Sequence, residues 1–512
     1  MATLLDPRIA PPSPWLLLFG LVVLFSFFVR AYSRRSRTSL PLPPGPPPLP
    51  FLGNVLDFPK KHLGPEFHAL SQKYGDVVSL KVLGRSVILV DTYEAACELL
   101  EKRSANYSHR PHLVMVDMTE LDWIFVFQNY GPHWRKHRRA LQQAFVPEAI
   151  TRYFPAQLQT TRDLLRALLA TPANFSAHIK FSFAATILRI VYGLDVTPGD
   201  DAYYTLVERL ATVTNDIATP GQFLVEAFPS LRKLPSWFPG ARFKRVAAAW
   251  RAESISIRDQ LYASAKEAMG SRGVNESIIT RLTDDGAEET LVRDVTATIY
   301  SSGADTTNAA VHAFVLAMAM YPDVQRKAQA ELDRVVGPDR LPDFSDRAHL
   351  PYVSALVKEV LRWHVIAPVG GAHRSAADDE LRGFHIPSGA LVIPNLWAMS
   401  RDPAHYPDPE RLDPERFLLD GQLNPDVRDP STFVFGFGRR ICPGRIFAES
   451  SLFITCASIL HALEVKAPLD ASGALRKLEM KAASLAVAHP EPFECRIVAR
   501  SPHMAELVHS ND

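Results

Sequence analysis

Two kinds of apolar spacing run along the chain. Between Ser79 and Asp91, aliphatic residues come in two short runs with Gly84-Arg85 between them, which predicts a β-hairpin. Most of the remainder carries helical periodicity. Val324–Val336 is rich in helix formers, begins just after Pro322-Asp323 and stops at Gly337. Arg382–Ile393 falls into short strand-like pieces around a Pro387-Ser-Gly turn. The pattern predicts a mainly α domain with a minor β portion and no internal repeat.

The longest helical segment is Leu291–Tyr321, which would span roughly 46 Å. Its second half, Ala309–Met320, is apolar nearly all round, as a core helix is. Its middle, Ser302-Gly-Ala-Asp-Thr-Thr307, breaks that pattern with residues that weaken a helix. Such a break inside a buried helix has a packing or functional reason. An unpaired Asp305 there would be costly, which points to a role for it.

A different pattern opens the chain. Trp15–Val29 is free of charge and Arg30, Arg34, Arg35 and Arg37 follow at once. The run is a little short of the roughly 17–25 residues of a spanning helix. Ala31, Tyr32 and snorkelling arginines close the gap. A cleaved signal peptide would carry its positive charge before the apolar run, so residues 1–38 read as an uncleaved single-pass anchor. The charge asymmetry leaves the bulk of the chain cytosolic. Residues 39–54, with Pro41-Leu-Pro-Pro-Gly-Pro-Pro-Pro-Leu-Pro50, read as a semi-rigid extended hinge. The rival reading, an SH3 ligand, belongs in a mobile tail. No linker divides residues 55–512, which read as one large domain.

Composition adds mostly exclusions. Hydrophobic content is 47% and charged content 22%, ordinary for a globular core. Lys+Arg of 56 against Asp+Glu of 55 lacks the basic excess that nucleic acid requires. Cys97, Cys442, Cys456 and Cys495 are too scattered for a disulfide framework, and no Cys-x-x-Cys pair suggests structural zinc. A reduced, cytosol-facing compartment fits, and the sequons at Asn106, Asn174 and Asn275 are then expected unmodified.

The candidate chemistry sits in Phe435-Gly-Phe-Gly-Arg-Arg-Ile-Cys-Pro-Gly444. A lone cysteine is most often a small buried hydrophobe. Here Gly438 and Gly444 would let the backbone turn tightly and approach a flat ligand, and nearby amides can hydrogen-bond the sulfur. Elsewhere, Glu359-Val-Leu-Arg362 lies on an expected helix, Val353–His364, where i, i+3 spacing lets the charges pair. His133 and His137 have zinc-helix spacing but lack the intervening glutamate and a third ligand.

The ten-residue run fits Phe-x-x-Gly-x-Arg-x-Cys-x-Gly and resembles the haem-binding loop of the cytochrome P-450 superfamily. The resemblance covers roughly residues 40–500. It implies the fold of that family, with a long central helix over haem b and Cys442 as axial iron ligand. Phe435, Gly438 and Gly444 would shape the cofactor loop. Asp305 and Thr306 would form the oxygen-handling pair, Thr306 bonding the iron-bound species and Asp305 feeding protons. Trp134-Arg-Lys-His-Arg138 is similar to the helix that contacts a haem propionate, so Trp134 and Arg138 would bind there. Arg440 would join them, with His373 a further candidate. Glu359, Arg362 and Arg416 (in Asp413-Pro-Glu-Arg-Phe417) would make a buried structural triad. The family carries proline where this chain has Val365, and Pro368 is the expected substitute helix stop.

The same resemblance implies an endoplasmic reticulum monooxygenase, monomeric, placing one atom of O₂ into a lipophilic small molecule. Leu234-Pro-Ser-Trp-Phe-Pro-Gly240 looks most like fungal members that decorate secondary metabolites. Electrons would come from NADPH through a separate flavoprotein reductase, docked on Arg135, Lys136, Arg139, Arg439 and Arg445. Pocket walls would come from 112–127, 215–228, 299–304, 366–371 and 484–488. Same-fold rivals are an isomerase, a dehydratase or a peroxide user, which often lose the Asp-Thr pair. A non-catalytic haem carrier is the rival of another class.

Overall fold

The structure is a computed structural model describing residues 40–197, 201–219, 221–272, 276–482 and 486–510. The expected anchor, Asn275 and Ser484 lie outside the described residues. Among those described, no helix is long and apolar enough to cross a membrane.

In chain order, the elements that position the site are α1 (Leu63–Tyr74), β1 (Val77–Val82), β2 (Arg85–Val90), α2 (Pro132–Ala144), α3 (Phe154–Ala170) and α4 (Phe175–Tyr192). They continue through α5 (Asp201–Ala218), α6 (Arg242–Arg272), α7 (Glu289–Met320), α8 (Pro322–Val335) and α9 (Pro351–Trp363). Strands β3 (His373–Arg374) and β4 (Leu391–Pro394) precede α10 (Arg445–Ala462). The mainly α reading with a minor β part holds.

The hairpin is where the alternation put it, with Val77 opposite Val90 and Val82 opposite Arg85. Its turn falls one residue earlier than expected, on Leu83 and Gly84, both at positive φ. That is the geometry of a two-residue hairpin loop, which twists with the strands. β4 joins β2 in parallel and β3 joins β4 antiparallel, giving the order β1-β2-β4-β3. Side chains alternate faces: Val78, Leu80, Val87 and Leu89 pack with Phe67 of α1, while Val77, Ile88 and Val90 face a second cluster.

The proline segment is not a free spacer over 41–46. Ser79 donates to the Pro44 carbonyl, His385 N–H to the Pro41 carbonyl, and the Asn54 side chain to the Pro46 carbonyl. Proline cannot donate, but its carbonyls accept, so the segment is tied onto strand backbone.

α7 runs without interruption through the expected weak point. Thr306 and Thr307 return their hydroxyls to the carbonyls four residues back, so helical polarity is satisfied inside the helix. Gly303 has a packing reason: a Cβ there would stand 3.1 Å from Ile187 Cδ1 on α4. α7 packs on α4, α2 and α10, so the central helix meets both the helix that follows the cysteine loop and the one whose Arg138 bonds Ile441.

α9 ends at Trp363, with His364 at its C-cap in an extended conformation. The expected stop at Pro368 is therefore corrected: the helix has already ended five residues earlier, and the Pro368 carbonyl accepts from Trp397 N–H.

Candidate functional site

The loop carrying Cys442 is built by its own backbone. Gly436 N–H bonds Phe433 O, Arg440 N–H bonds Phe437 O, and Cys442 N–H returns to Phe435 O at 2.8 Å. Gly436 and Gly438 hold φ of 81° and 55°, the left-handed region that favours glycine. At Gly438 a second demand acts, because a Cβ would lie 2.1 Å from the Leu100 carbonyl oxygen. Gly438 N–H also donates to the Glu101 carboxylate at 2.7 Å. The π-helical turn Cys97–Lys102 thus seats the loop. Gly444 differs from expectation: its φ is −89° and a Cβ would meet open space, so no tight turn depends on it. It is the N-cap of α10 instead. Phe435 packs against the main core.

Burial pushes the Cys442 thiol up, while a hydrogen bond from the Gly444 amide and the charges of Arg138 and Arg445 pull it down. The amide and the two arginines favour the thiolate form.

Beside the loop is a cationic cluster. The Arg440 guanidinium carbon stands 4.6 Å from the Trp134 ring centroid. Arg440 Nε donates to Ser108 O and Nη2 to Gln128 O, leaving buried Nη1 with no partner among the described residues. Buried Trp134 Nε1 and Arg110 Nε are likewise unpartnered. Burial lowers the Arg440 pKa to about 9, helped by Arg110 and Arg138, and that of Arg110 to about 10. Two guanidiniums with orphaned donors, Arg440 and Arg110, beside a third on Arg138, fit a ligand that brings carboxylates.

Arg138 is partly committed, Nη1 donating to the Ile441 carbonyl at 2.6 Å, next to Cys442. His373 lies in the cluster, Nδ1 donating to Tyr107 O at 2.7 Å. Burial drives its pKa to about 3, with Arg110 adding to the effect. Its ring is therefore neutral and offers Nε2 as an acceptor, so it would donate to a carboxylate only after taking up a proton. Arg110 escaped the sequence reading. Its role follows from long-range contacts, Nη1 bonding Gly371 O and Ala372 O, that no local motif announces.

On α7, Ser302 is exposed and Thr306 half-buried, although Ser301, Ala304 and Thr307 around them are buried. One face of the core helix is thus open to solvent at Ser302 and Thr306. Asp305 is paired, its Oδ1 3.1 Å from His489 Nε2. His489 was another residue without a sequence signal.

The triad residues meet. Arg362 donates from Nε and Nη2 to the two Glu359 oxygens at 2.7 Å each, and Arg416 Nε reaches Oε1 at 3.2 Å. Glu359 and Arg362 are 0% exposed, so the pair is no surface ornament. Arg362 also binds the carbonyls of Ser400, Pro409 and Arg411, and Asp413 N–H binds Glu359. This network fixes the loop that leads toward the cysteine segment.

Arg135, Arg139, Arg439 and Arg445 are exposed, and Lys136 pairs with Glu288 at 2.7 Å. Arg135 and Arg439 both lie over Tyr130, which places the two elements' cations on one surface. His133 and His137 gather no metal set, and among the described residues there is none.

The family model for cytochrome P-450 matches residues 43–494. The cytochrome P-450 monooxygenase COX1 of Coprinopsis cinerea is 39% identical, over 95% of this chain and 97% of the relative. The monooxygenase claR of Ampulloclitocybe clavipes is 37% identical, over 96% and 91%. Tryptamine 4-monooxygenase of Psilocybe cyanescens is 37% identical, over 95% and 98%. The chain belongs to the cytochrome P-450 family and is a monooxygenase of that family.

Proposed function

We propose that this protein is a membrane-anchored haem-thiolate monooxygenase that inserts one oxygen atom from O₂ into a lipophilic small molecule in secondary metabolism. The observation that carries the site assignment is the set of orphaned buried donors on Trp134, Arg440 and Arg110 beside the glycine-built Cys442 loop. Haem b, when bound, supplies O₂ binding and O–O cleavage, which a thiolate ligand favours.

The chain's own residues would do the following. Cys442 would supply the thiolate that holds the haem iron, with Gly438 and its seat on Leu100 and Glu101 fixing the loop. Arg440, Trp134 and Arg110 hold the propionates, while Arg138 braces Ile441 next to the sulfur and adds positive charge. Asp305 and Thr306 hold protons at the open face of α7. Glu359, Arg362 and Arg416 keep the cysteine segment in place and take no part in chemistry.

The exposed cations Arg135, Arg139, Arg439 and Arg445 support docking of an acidic flavoprotein reductase that passes electrons from NADPH, since complementary charge speeds encounter. Membrane attachment is supported by the uncharged run Trp15–Val29. It is also supported by apolar side chains turned to solvent, Phe51 at 92% and Trp237 at 76% exposure. Localisation at the endoplasmic reticulum and a monomeric state complete the reading.

The test combines full-length protein, NADPH and a fungal microsomal reductase, with metabolite profiles from a host with and without the gene. The reading requires NADPH consumption that depends on the protein and a product heavier by one oxygen. Consumption indistinguishable from reductase alone would contradict it.

A further inference from the structure

We propose that His489 is the solvent-side proton carrier for Asp305, an assignment that rests on the role given above to Asp305. The two side chains straddle the boundary between water and interior. His489 is 28% and Asp305 22% exposed, and the Nε2–Oδ1 distance is 3.1 Å.

The ring is held there by a strap. Ala488 N–H donates to Ile366 O at 2.7 Å and Ala488 O accepts from His364 Nε2 at 2.8 Å. Val487 N–H reaches Asn215 Oδ1 on α5. Three hydrogen bonds, two from the segment after α9 and one from α5, thus converge on residues 487 and 488 and hold His489 beside α7.

The other ionisable groups around it are not suited to the task. His312, seven residues on from Asp305, has Nδ1 on Asn308 O and Nε2 on the Ser176 hydroxyl. Burial drives its pKa to about 4, with His489 and Lys180 adding to the fall and Asp305 opposing it. His364 is also pushed to about 4, mainly by burial and further by Arg401 and His489. Both rings stay neutral and hydrogen-bonded near pH 7. Among these rings, His489 alone joins a part-exposed imidazole to the carboxylate. Histidine ordinarily titrates between pH 5 and 8, so it can load and unload protons where arginine cannot.

The step balances simply. The Nε2–H bond of the imidazolium breaks as Asp305 Oδ1–H forms, leaving a neutral ring, which then takes one proton from water. Asp305 passes its proton on at the open face of α7 and is again a carboxylate.

The experiment uses full-length haem-loaded protein with NADPH and a fungal microsomal reductase. NADPH consumed and hydrogen peroxide released are measured between pH 5.5 and 8.5, in H₂O and D₂O. His489→Gln removes the charge; His489→Arg keeps an ion pair that cannot release its proton. Both are expected to slow turnover on the order of tenfold and to flatten the pH profile, as loss of a general acid does. Asp305→Asn should act in the same direction. Thermal unfolding of His489→Gln, Asp305→Asn and the double variant gives a readout independent of turnover. The double variant should be no less stable than the poorer single one.

If His489→Arg keeps the wild-type rate and profile, the pair is only a clip and the relay is overturned. If Asp305→Asn slows turnover and neither His489 variant does, His489 is overturned and the role of Asp305 stands. If all three behave as wild type, the reading of Asp305 fails as well.

Discussion

Arg362 grips both oxygens of Glu359 at 2.7 Å in complete burial, and every remaining direction of its guanidinium ends on a backbone carbonyl. Bidentate geometry and full satisfaction are what allow two charges to be kept out of water. Removing one partner leaves the other charged and unsolvated. Glu359→Ala or Arg362→Ala is therefore expected to cost about 3–5 kcal/mol and to yield little haem-loaded protein. Denaturation midpoints and the haem-to-protein ratio check this. Arg416→Lys, which touches only Oε1 of the acid, should fall well short of that loss.

Gly438 meets two constraints at once, positive φ and the Leu100 carbonyl. Gly438→Ala should shift the loop, destabilising by a few kcal/mol on the scale of backbone strain plus overpacking, about 1–3 each. Gly444→Ala meets neither constraint and should fold normally. Thermal unfolding of the two variants side by side is decisive, since equal losses would contradict the seat on Leu100.

Arg440 is crowded by Arg110 and Arg138, and its Nη1 has no partner among the described residues. Arg440→Leu should therefore leave the haem-free protein as stable as wild type or more so, because a buried unpaired charge is lost. The same change should speed haem loss, since a propionate partner disappears. Haem transfer to an excess of apomyoglobin, set beside the melting temperature of the apoprotein, measures both. Opposite signs are the expected result.

Stability against pH follows from three imidazoles, two buried and one half-buried. In the folded chain His364 and His312 lie at about 4 and His373 at about 3, all below the ordinary histidine value of 6.5. The unfolded state thus binds more protons between those limits, so stability rises with pH there. The contribution is complete above about pH 6.5 and is lost as pH falls toward 4, at ~1.4 kcal/mol per unit for each group. Urea midpoints of the apoprotein should drop steeply between pH 6.5 and 4.5. His364→Gln should make that drop shallower.

What was legible in the sequence tracks how locally each feature is encoded. The hairpin, the long α7 and the backbone turns within the Cys442 loop rest on near neighbours in sequence, and periodicity or turn residues reveal them, whereas the loop's seat on Leu100 and Glu101 is long-range. The weak point in α7 leaves the helix unbroken because Thr306 and Thr307 satisfy themselves on their own helix, which a count of helix-poor residues does not register. Pro368 misled for a related reason, since the chain turns at His364 without needing a proline. Arg110 and His489 escaped altogether. Arg110 meets Gly371 and Ala372 more than 260 positions away, and His489 meets Asp305 across the central helix. Contacts of that separation leave no pattern in one sequence.

The central claim is that the Cys442 sulfur ligates iron. The most direct measurement is the carbon monoxide difference spectrum of the dithionite-reduced full-length protein, taken beside Cys442→Ala and Cys442→His. The account requires a thiolate-type band in the wild type, its disappearance in the alanine variant and an imidazole-type band in the histidine variant. A thiolate-type band surviving in Cys442→Ala, or an imidazole-type band in the wild type with haem fully bound, would contradict it.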